Sequence, residues 1–173
     1  MIYLIRQMIY LSYEVYEMER RITSNLNLIT PLETTAVPAR IIYDDDEEVA
    51  DSVSEIVITY NGKEYRGRGI DHLWVDTFAD LQCQLPSDVQ IACCMTCRHG
   101  NMCPFGNEEN QLFCTKGLFF NNKLDLCDRF IELNLYVERA VTVCNYCCDF
   151  IYQSEDHFTY SDYLFYLKEG SDK

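Results

Sequence analysis

Cysteines are the residues of this chain whose type and spacing could do chemistry. The sequence contains 10 cysteines, and half of them fall in one polar, turn-rich stretch between residues 93 and 114. Cys94 and Cys97 have the Cys-x-x-Cys spacing of half a zinc site, because a tight turn lets both sulfurs point at one metal ion. Cys103 and Cys114 are the nearest candidates for the other two ligands. We therefore predict a structural metal site, with zinc favoured, at Cys94, Cys97, Cys103 and Cys114.

Two other metal arrangements use the same Cys-x-x-Cys pair. Cys144 and Cys147 repeat that spacing far along the chain and offer an alternative second half of a zinc site. Cys94, Cys97 and Cys103 also resemble the opening of the auxiliary iron–sulfur motif in SPASM-type domains of radical enzymes. That resemblance covers about ten residues and implies an iron–sulfur module.

Thiol redox chemistry at Cys94 and Cys97 is the alternative from a different functional class. Arg98 and His99 follow the pair and would favour a thiolate at Cys97. The sequence after the pair is typical of a loop rather than of the helix start that lowers a thiol pKa in thioredoxin-like sites. A third interpretation gives the cysteines no chemistry, since cysteine is among the most buried residue types in proteins.

The motifs of common hydrolases and nucleotide-binding proteins are absent. The three histidines are His72, His99 and His157, and the sequence contains no Gly-x-Ser-x-Gly, His-Glu-x-x-His or phosphate-binding loop. Cys97 and His99 are too close in sequence to form a catalytic pair easily. We therefore predict no catalytic residues and a protein that is not an enzyme.

The charge of the chain excludes some classes of partner. The net charge is −14, from 28 acidic and 14 basic residues, and such a surface repels nucleic acids and anionic membranes. The sharpest acidic run extends from Asp44 to Glu48. It is interpreted as a solvated loop or as a docking patch for a basic protein partner.

Composition and length favour one cytoplasmic domain. The 173 residues fit a single domain spanning 1–173, and 48% hydrophobic residues argue against disorder. The N-terminal residues lack the basic leader and cleavage site of an export signal, and no apolar run reaches the roughly 20 residues of a membrane helix. In a reducing cytoplasm, 10 cysteines are expected to be thiols or metal ligands.

The fold class predicted from hydrophobic patterns is α+β. Asn61 and Gly62 separate two extended runs, which is the strongest short signal for a β-hairpin, and we place this hairpin at the centre of an antiparallel sheet. In that hairpin Tyr60 pairs with Lys63, and Ile58 with Tyr65. Two or three short helices are expected on one side of the sheet, and the cysteine loop on the surface, closed by Cys114.

Further elements follow from local patterns. Residues 1–22 fit a helical stripe or a strand, and their tyrosines and branched residues favour a strand after Met8. The prolines at 31 and 38 favour edge strands or loops between residues 22 and 43. Thr77 is a candidate helix cap, with Pro86 ending that helix. Residues 122–133 predict a helix with its stripe inward, residues 144–148 a helical or mixed segment, and residues 161–167 an aromatic terminal element. The predicted inward stripe of the second helix is Leu124, Cys127, Phe130, Ile131 and Leu133.

Three segments resemble a group of functionally uncharacterised small proteins from anaerobic gut bacteria. They are residues 94–116, which contain the Cys-x-x-Cys pair and Cys114, residues 73–81, and residues 160–163. The resemblance spans most of the chain after the hairpin. It implies membership of a family of small cysteine-containing proteins and carries no activity with it.

Overall fold

The computed structural model describes residues 21–43, 53–70, 73–105 and 112–171. The predicted N-terminal stripe, the acidic run from Asp44 to Glu48, and His72 lie outside these residues. The strands are β1 (Arg21–Ile29), β2 (Thr34–Tyr43), β3 (Val53–Tyr60), β4 (Lys63–Gly67), β5 (Gln90–Ala92), β6 (Gly100–Met102), β7 (Leu112–Cys114) and β8 (Ala140–Val141). The helices are α1 (Trp74–Gln84), α2 (Lys123–Glu132), α3 (Leu135–Glu138) and α4 (Tyr163–Ser171).

Two antiparallel sheets and these helices confirm the α+β class. The larger sheet has the strand order β4-β3-β2-β1-β5, and the smaller has the order β6-β7-β8. Helix α1 packs against β3 and β4 of the larger sheet, and α4 packs against α1. Helix α2 belongs to a second, smaller hydrophobic cluster built on Phe113 and Phe130. None of the described helices combines the length and the apolar character that crossing a bilayer requires.

The Asn61-Gly62 turn joins β3 to β4. Both turn residues have positive φ, 49° and 74°, as a two-residue hairpin loop with right-handed strand twist requires. Tyr60 pairs with Lys63, in the register expected from the sequence. The hairpin lies at one edge of the larger sheet instead of its centre, because β4 has no neighbour on its outer side among the described strands.

Pro38 lies inside a strand with neighbours on both sides, contrary to the edge or loop placement expected from the sequence. It pairs with Asn25 of β1, whereas the ladder between β2 and β3 begins one residue later, at Ala39. At Pro38 itself β2 therefore has one paired side only. A residue without an N–H group is tolerated there as it is on an edge strand.

Helix α1 begins earlier than the capping pattern predicted. Its N-cap is Leu73, and Thr77 lies inside the helix, where its hydroxyl donates to the Leu73 carbonyl at 2.7 Å. The predicted Thr77 cap was therefore wrong, because a threonine hydroxyl can bond the carbonyl four residues back within a helix. The helix ends at Gln84, just before the residue that precedes Pro86, as predicted.

Two further local predictions need correction. Helix α2 buries Leu126 and Phe130, whereas Leu124 and Ile131 of the predicted stripe are exposed. Asn122 caps this helix by accepting a hydrogen bond from the Asp125 N–H, and that cap sets its rotation and start. Residues 144–148 form turns and irregular chain instead of a helix.

Gly67 allows α1 to approach the larger sheet closely. A Cβ atom at this position would lie 2.4 Å from the Thr77 carbonyl oxygen and 2.5 Å from the Leu81 Cβ. These are helix atoms that cannot move independently. The contact between α1 and β4 therefore depends on the missing side chain.

We expect Gly67→Ala to lower the free energy of unfolding by about 3 kcal/mol, because the helix must shift away from the sheet. Gly117→Ala is the control: its φ is 78° and nothing lies within 4 Å of its added Cβ, so only backbone strain of about 1 kcal/mol is expected. Urea unfolding followed by fluorescence of Trp74, the single tryptophan and a buried one, measures both. Equal losses for the two variants would contradict the close approach.

Candidate functional site

Cys94 and Cys97 lie on a tight turn directly after β5. The turn Cys94–Thr96 is a single 3-10 turn, and the Cys97 N–H donates to the Cys94 carbonyl at 3.3 Å. The Thr96 hydroxyl fixes the turn to β5 by donating to the Ile91 carbonyl at 2.7 Å. This geometry lets two cysteines three positions apart present their sulfurs to one ion. We call residues 93–98 the knuckle.

Cys114 reaches the knuckle through the smaller sheet. In the pairing of β6 with β7, Cys114 lies opposite Gly100, three residues after Cys97. Gly100 passes so close beneath the knuckle that a Cβ atom there would lie 1.9 Å from the Cys94 carbonyl oxygen. Any larger residue at Gly100 would separate β6 from the knuckle. The absence of a side chain therefore brings Cys114 beside the Cys-x-x-Cys pair.

Cys147 reaches the knuckle from a segment about fifty positions further along the chain. Residues 142–153, which we call the strap, run along the knuckle and make backbone hydrogen bonds with it at both ends. Those bonds run from Cys94 N to Asn145 O (2.7 Å), from Met95 N to Val143 O (3.2 Å), from Arg98 N to Ile151 O (2.8 Å) and from Gln153 N to Thr96 O (3.0 Å). The Gln153 amide adds a hydrogen bond to the Met95 carbonyl at 2.9 Å. The turn that carries Cys147 is thus held over the knuckle.

An ion pair ties the strap to the end of β7. Lys116 lies two residues after Cys114, Asp149 lies two residues after Cys147, and their side chains form a salt bridge. The two side chains are about half exposed, so the pair adds little to stability by itself. Its position nevertheless keeps the segments that carry Cys114 and Cys147 side by side.

The electrostatics of the thiols show that four cysteines share one neighbourhood. Burial, the largest cause, and the negative charges that Cys93, Cys97, Cys114 and Cys147 would carry together raise the pKa of Cys94 to about 12. Burial also raises the pKa of Cys97, and the charges of Cys147 and Cys114 act in the same direction. Charges influence one another in this way only over short distances.

The sulfur of Cys97 has two backbone donors. The N–H groups of His99 and Ile151 point at it and lower its pKa, against the larger effect of burial. Hydrogen bonds from backbone N–H groups to a sulfur stabilise its thiolate form. One donor comes from the knuckle side and the other from the strap, so the strap takes part in the surroundings of this sulfur.

The four thiols are neighbours, but their sulfurs do not converge on one point. Within the described part of the chain, no three His, Cys, Asp or Glu side chains are grouped closely enough to hold a metal ion. Neutral thiols have no electrostatic reason to converge, and Cys147 is exposed. The four cysteines are therefore candidate ligands, and binding a metal ion would have to bring their sulfurs closer together.

Cys103, the fourth residue of the predicted ligand set, lies elsewhere. It is buried in the second hydrophobic cluster with Phe113 and Phe130, whereas Leu112 of β7 packs into the main core. Successive residues of a strand point to opposite faces, so Cys103 falls on the Phe113 side and Cys114 on the other. It also lies about 10 Å along the chain from the pairing of Gly100 with Cys114, at roughly 3.3 Å per residue.

Cys144, the other residue of the distant pair, interacts electrostatically with Cys94, whereas Cys147 interacts with both Cys94 and Cys97. Burial raises its pKa to about 11, and the Ser24 side chain of β1 forms a hydrogen bond with it. It packs against the main core. Of the alternative pair, only Cys147 joins Cys94, Cys97 and Cys114.

The two described histidines contact each other. The His99 and His157 rings meet edge to face with centroids 6.3 Å apart. Burial lowers the pKa of both, and the positive charge of Arg98 adds to this effect. No annotated relative offers a role for either residue, because no protein-family model, curated protein or solved structure matches this chain.

We expect Cys94 to react slowly with iodoacetamide in chelator-treated protein at neutral pH. A half-buried thiol with a pKa of about 12 carries little thiolate, so its labelling should be at least about a hundredfold slower than that of the exposed Cys148. Labelling in denaturant provides the control, because all 10 cysteines should then react alike. Fastest labelling at Cys94 or Cys97 in the folded protein would instead favour a thiol oxidoreductase.

Proposed function

We propose that this chain is a non-enzymatic, cytoplasmic domain in which a structural zinc ion is held by Cys94, Cys97, Cys114 and Cys147. The observation that carries the proposal is that four thiols from three separate segments lie near one knuckle. In this proposal Cys147 replaces Cys103 of the ligand set predicted from the sequence. All 10 cysteines lie in the described residues and are free thiols, as expected for a protein of the reducing cytoplasm.

The donor chemistry fits zinc. Four thiolates form one of the common structural zinc sets, in which the ion is enclosed and has no open position for catalysis. The burial that raises the pKa of Cys94 also means that a divalent cation would supply the charge that makes its thiolate stable there. The N–H groups that face Cys97 would orient that ligand, as outer hydrogen bonds do in metal sites.

The alternatives have less support. A thiol oxidoreductase needs a nucleophilic thiol with a lowered pKa, whereas the pKa values of Cys94 and Cys97 are raised. An iron–sulfur module at Cys94, Cys97 and Cys103 would need the third residue to leave the second hydrophobic cluster. Iron held by the same four cysteines as zinc is distinguished by elemental analysis and by assay of acid-labile sulfide.

We expect protein purified without chelator to contain about one zinc ion per chain. Cys114→Ser and Cys147→Ser should each weaken zinc binding at least a hundredfold, more than the roughly 10–100-fold typical of losing an outer partner of a ligand. Elemental analysis measures the zinc content, and competition with a chromophoric chelator measures the zinc affinity.

The chain offers a matched control for each of these variants. The control for Cys114→Ser is Cys103→Ser, because Cys103 lies on the opposite face of the strand pair from Cys114. The control for Cys147→Ser is Cys148→Ser, because Cys148 is the exposed neighbour of Cys147. Both controls should bind zinc as the unaltered chain does. A loss of zinc with Cys103→Ser, together with retention by Cys147→Ser, would restore the ligand set expected from sequence. Absence of any bound zinc or iron would reject the metal site.

A second proposal concerns the partner of this domain. The net charge of −14 favours association with a basic protein, because such a charge speeds the encounter with a cationic surface and opposes nucleic acids and anionic membranes. Acidity that merely keeps the domain soluble is the competing explanation. The two explanations differ in whether one particular surface of the domain binds the basic partner.

A further inference from the structure

A groove of about 560 Å³ lies next to the strap, outside the thiol group. One wall is the loop before α2, with Phe119, Phe120 and Asn121, and the other is formed by residues 153–161, which continue directly from the strap. Leu164 of α4 also lines it. The volume falls within the range of sites that accept small molecules or long side chains.

Aromatic rings form the apolar part of the groove. Phe119 is 88% exposed and offers the face of its ring to a ligand in the groove. Phe120 and Phe158 meet edge to face with centroids 6.2 Å apart and support the groove from below. The exposed face of a ring carries a negative electrostatic potential, which attracts cations.

The charged side chains that line the groove are all acidic. They are Glu155 and Asp156, and no lysine or arginine lines it. A hydrogen bond from Lys168 lowers the pKa of Glu155, and one from Ser154 lowers that of Asp156, so both are ionised at neutral pH. His157 is the remaining titratable side chain of the lining, and burial lowers its pKa.

Both carboxylates remain available to a ligand. Their side chains are 72% and 79% exposed, and each has one intramolecular cation, Lys168 for Glu155 and Arg98 for Asp156. The contact between Arg98 and Asp156 is long, at 3.4 Å. The pair of Lys168 with Glu155 is exposed on both sides and contributes little energy, so an incoming cation can replace it, whereas Arg98 is only 23% exposed and approaches Asp156 from a half-buried position.

We propose that this groove docks an arginine side chain of a basic partner protein. A guanidinium group is planar, so it stacks on a phenyl ring such as Phe119 while its N–H groups reach the carboxylates of Glu155 and Asp156. A lysine ammonium has the charge without the planar fork and fits less well. The proposal rests on the basic partner proposed above and adds where and by which side chain it binds.

The test uses a fluorescein-labelled peptide of alternating arginine and glycine, with binding measured by fluorescence anisotropy at low salt. The double variant Glu155→Gln/Asp156→Asn should weaken binding about tenfold or more, as should Phe119→Ala. The lysine version of the peptide should also bind several-fold more weakly than the arginine version. All the altered side chains are exposed, so the variants should fold as the unaltered chain does.

Matched controls separate the groove from the general acidity of the chain. Glu33→Gln/Asp88→Asn removes the same charge from two exposed turns elsewhere, and Phe165→Ala removes another exposed phenyl ring. Both should change the affinity less than about twofold. Equal losses in the groove and control variants would reject the groove while leaving a basic partner in place. No binding to any variant or to the unaltered chain would reject both the groove and the basic partner.

Discussion

The backbone pairing between the strap and the knuckle is the constraint on which the rest of the site depends. Four hydrogen bonds fix residues 142–153 along residues 93–98, and they act on both sides of the turn that carries Cys147. The chain has no regular strand or helix there to do this work. Without the pairing, Cys147 would have no defined position near Cys94 and Cys97. The groove wall at residues 153–161 would also lose its attachment, since it is the continuation of the strap.

The same surroundings decide between the chemistries that clustered thiols allow. Burial and mutual repulsion keep Cys94 and Cys97 protonated, which disfavours nucleophilic and redox roles. A divalent cation reverses that balance, because it neutralises several thiolates at once and turns their repulsion into shared attraction. Because the ligands come from the knuckle, from β7 and from the strap, bound metal would join three parts of the fold that hydrogen bonds and an ion pair already hold side by side. A structural metal site would account for the cysteines in these three segments without any catalytic role.

Sequence patterns predicted the local parts of this arrangement. They placed its distant part, Cys147, only in an alternative ligand set. The α+β class and the Cys-x-x-Cys turn follow from short-range spacing, and both depend on residues that are close in sequence. The choice of Cys103 overlooked the alternation of a strand, which sends Cys103 and Cys114 to opposite faces once their segments pair. Cys147 gave no local signal beyond its own Cys-x-x-Cys spacing, because its position depends on hydrogen bonds between segments about fifty residues apart. The predicted inward stripe of α2 was wrong for a related reason, because a capping asparagine and tertiary packing set the rotation of this helix.

X-ray absorption at the zinc edge of the purified protein tests the central claim most directly, because it counts the atoms bound to the metal and identifies their type. A site formed by Cys94, Cys97, Cys114 and Cys147 predicts a single shell of four sulfur atoms at about 2.3 Å. His99, which lies next to the knuckle, is the nearest competing ligand, and its participation would appear as a nitrogen at about 2.0 Å with only three sulfurs. That mixed shell, or a shell of oxygen and nitrogen typical of loosely bound surface metal, would contradict the account.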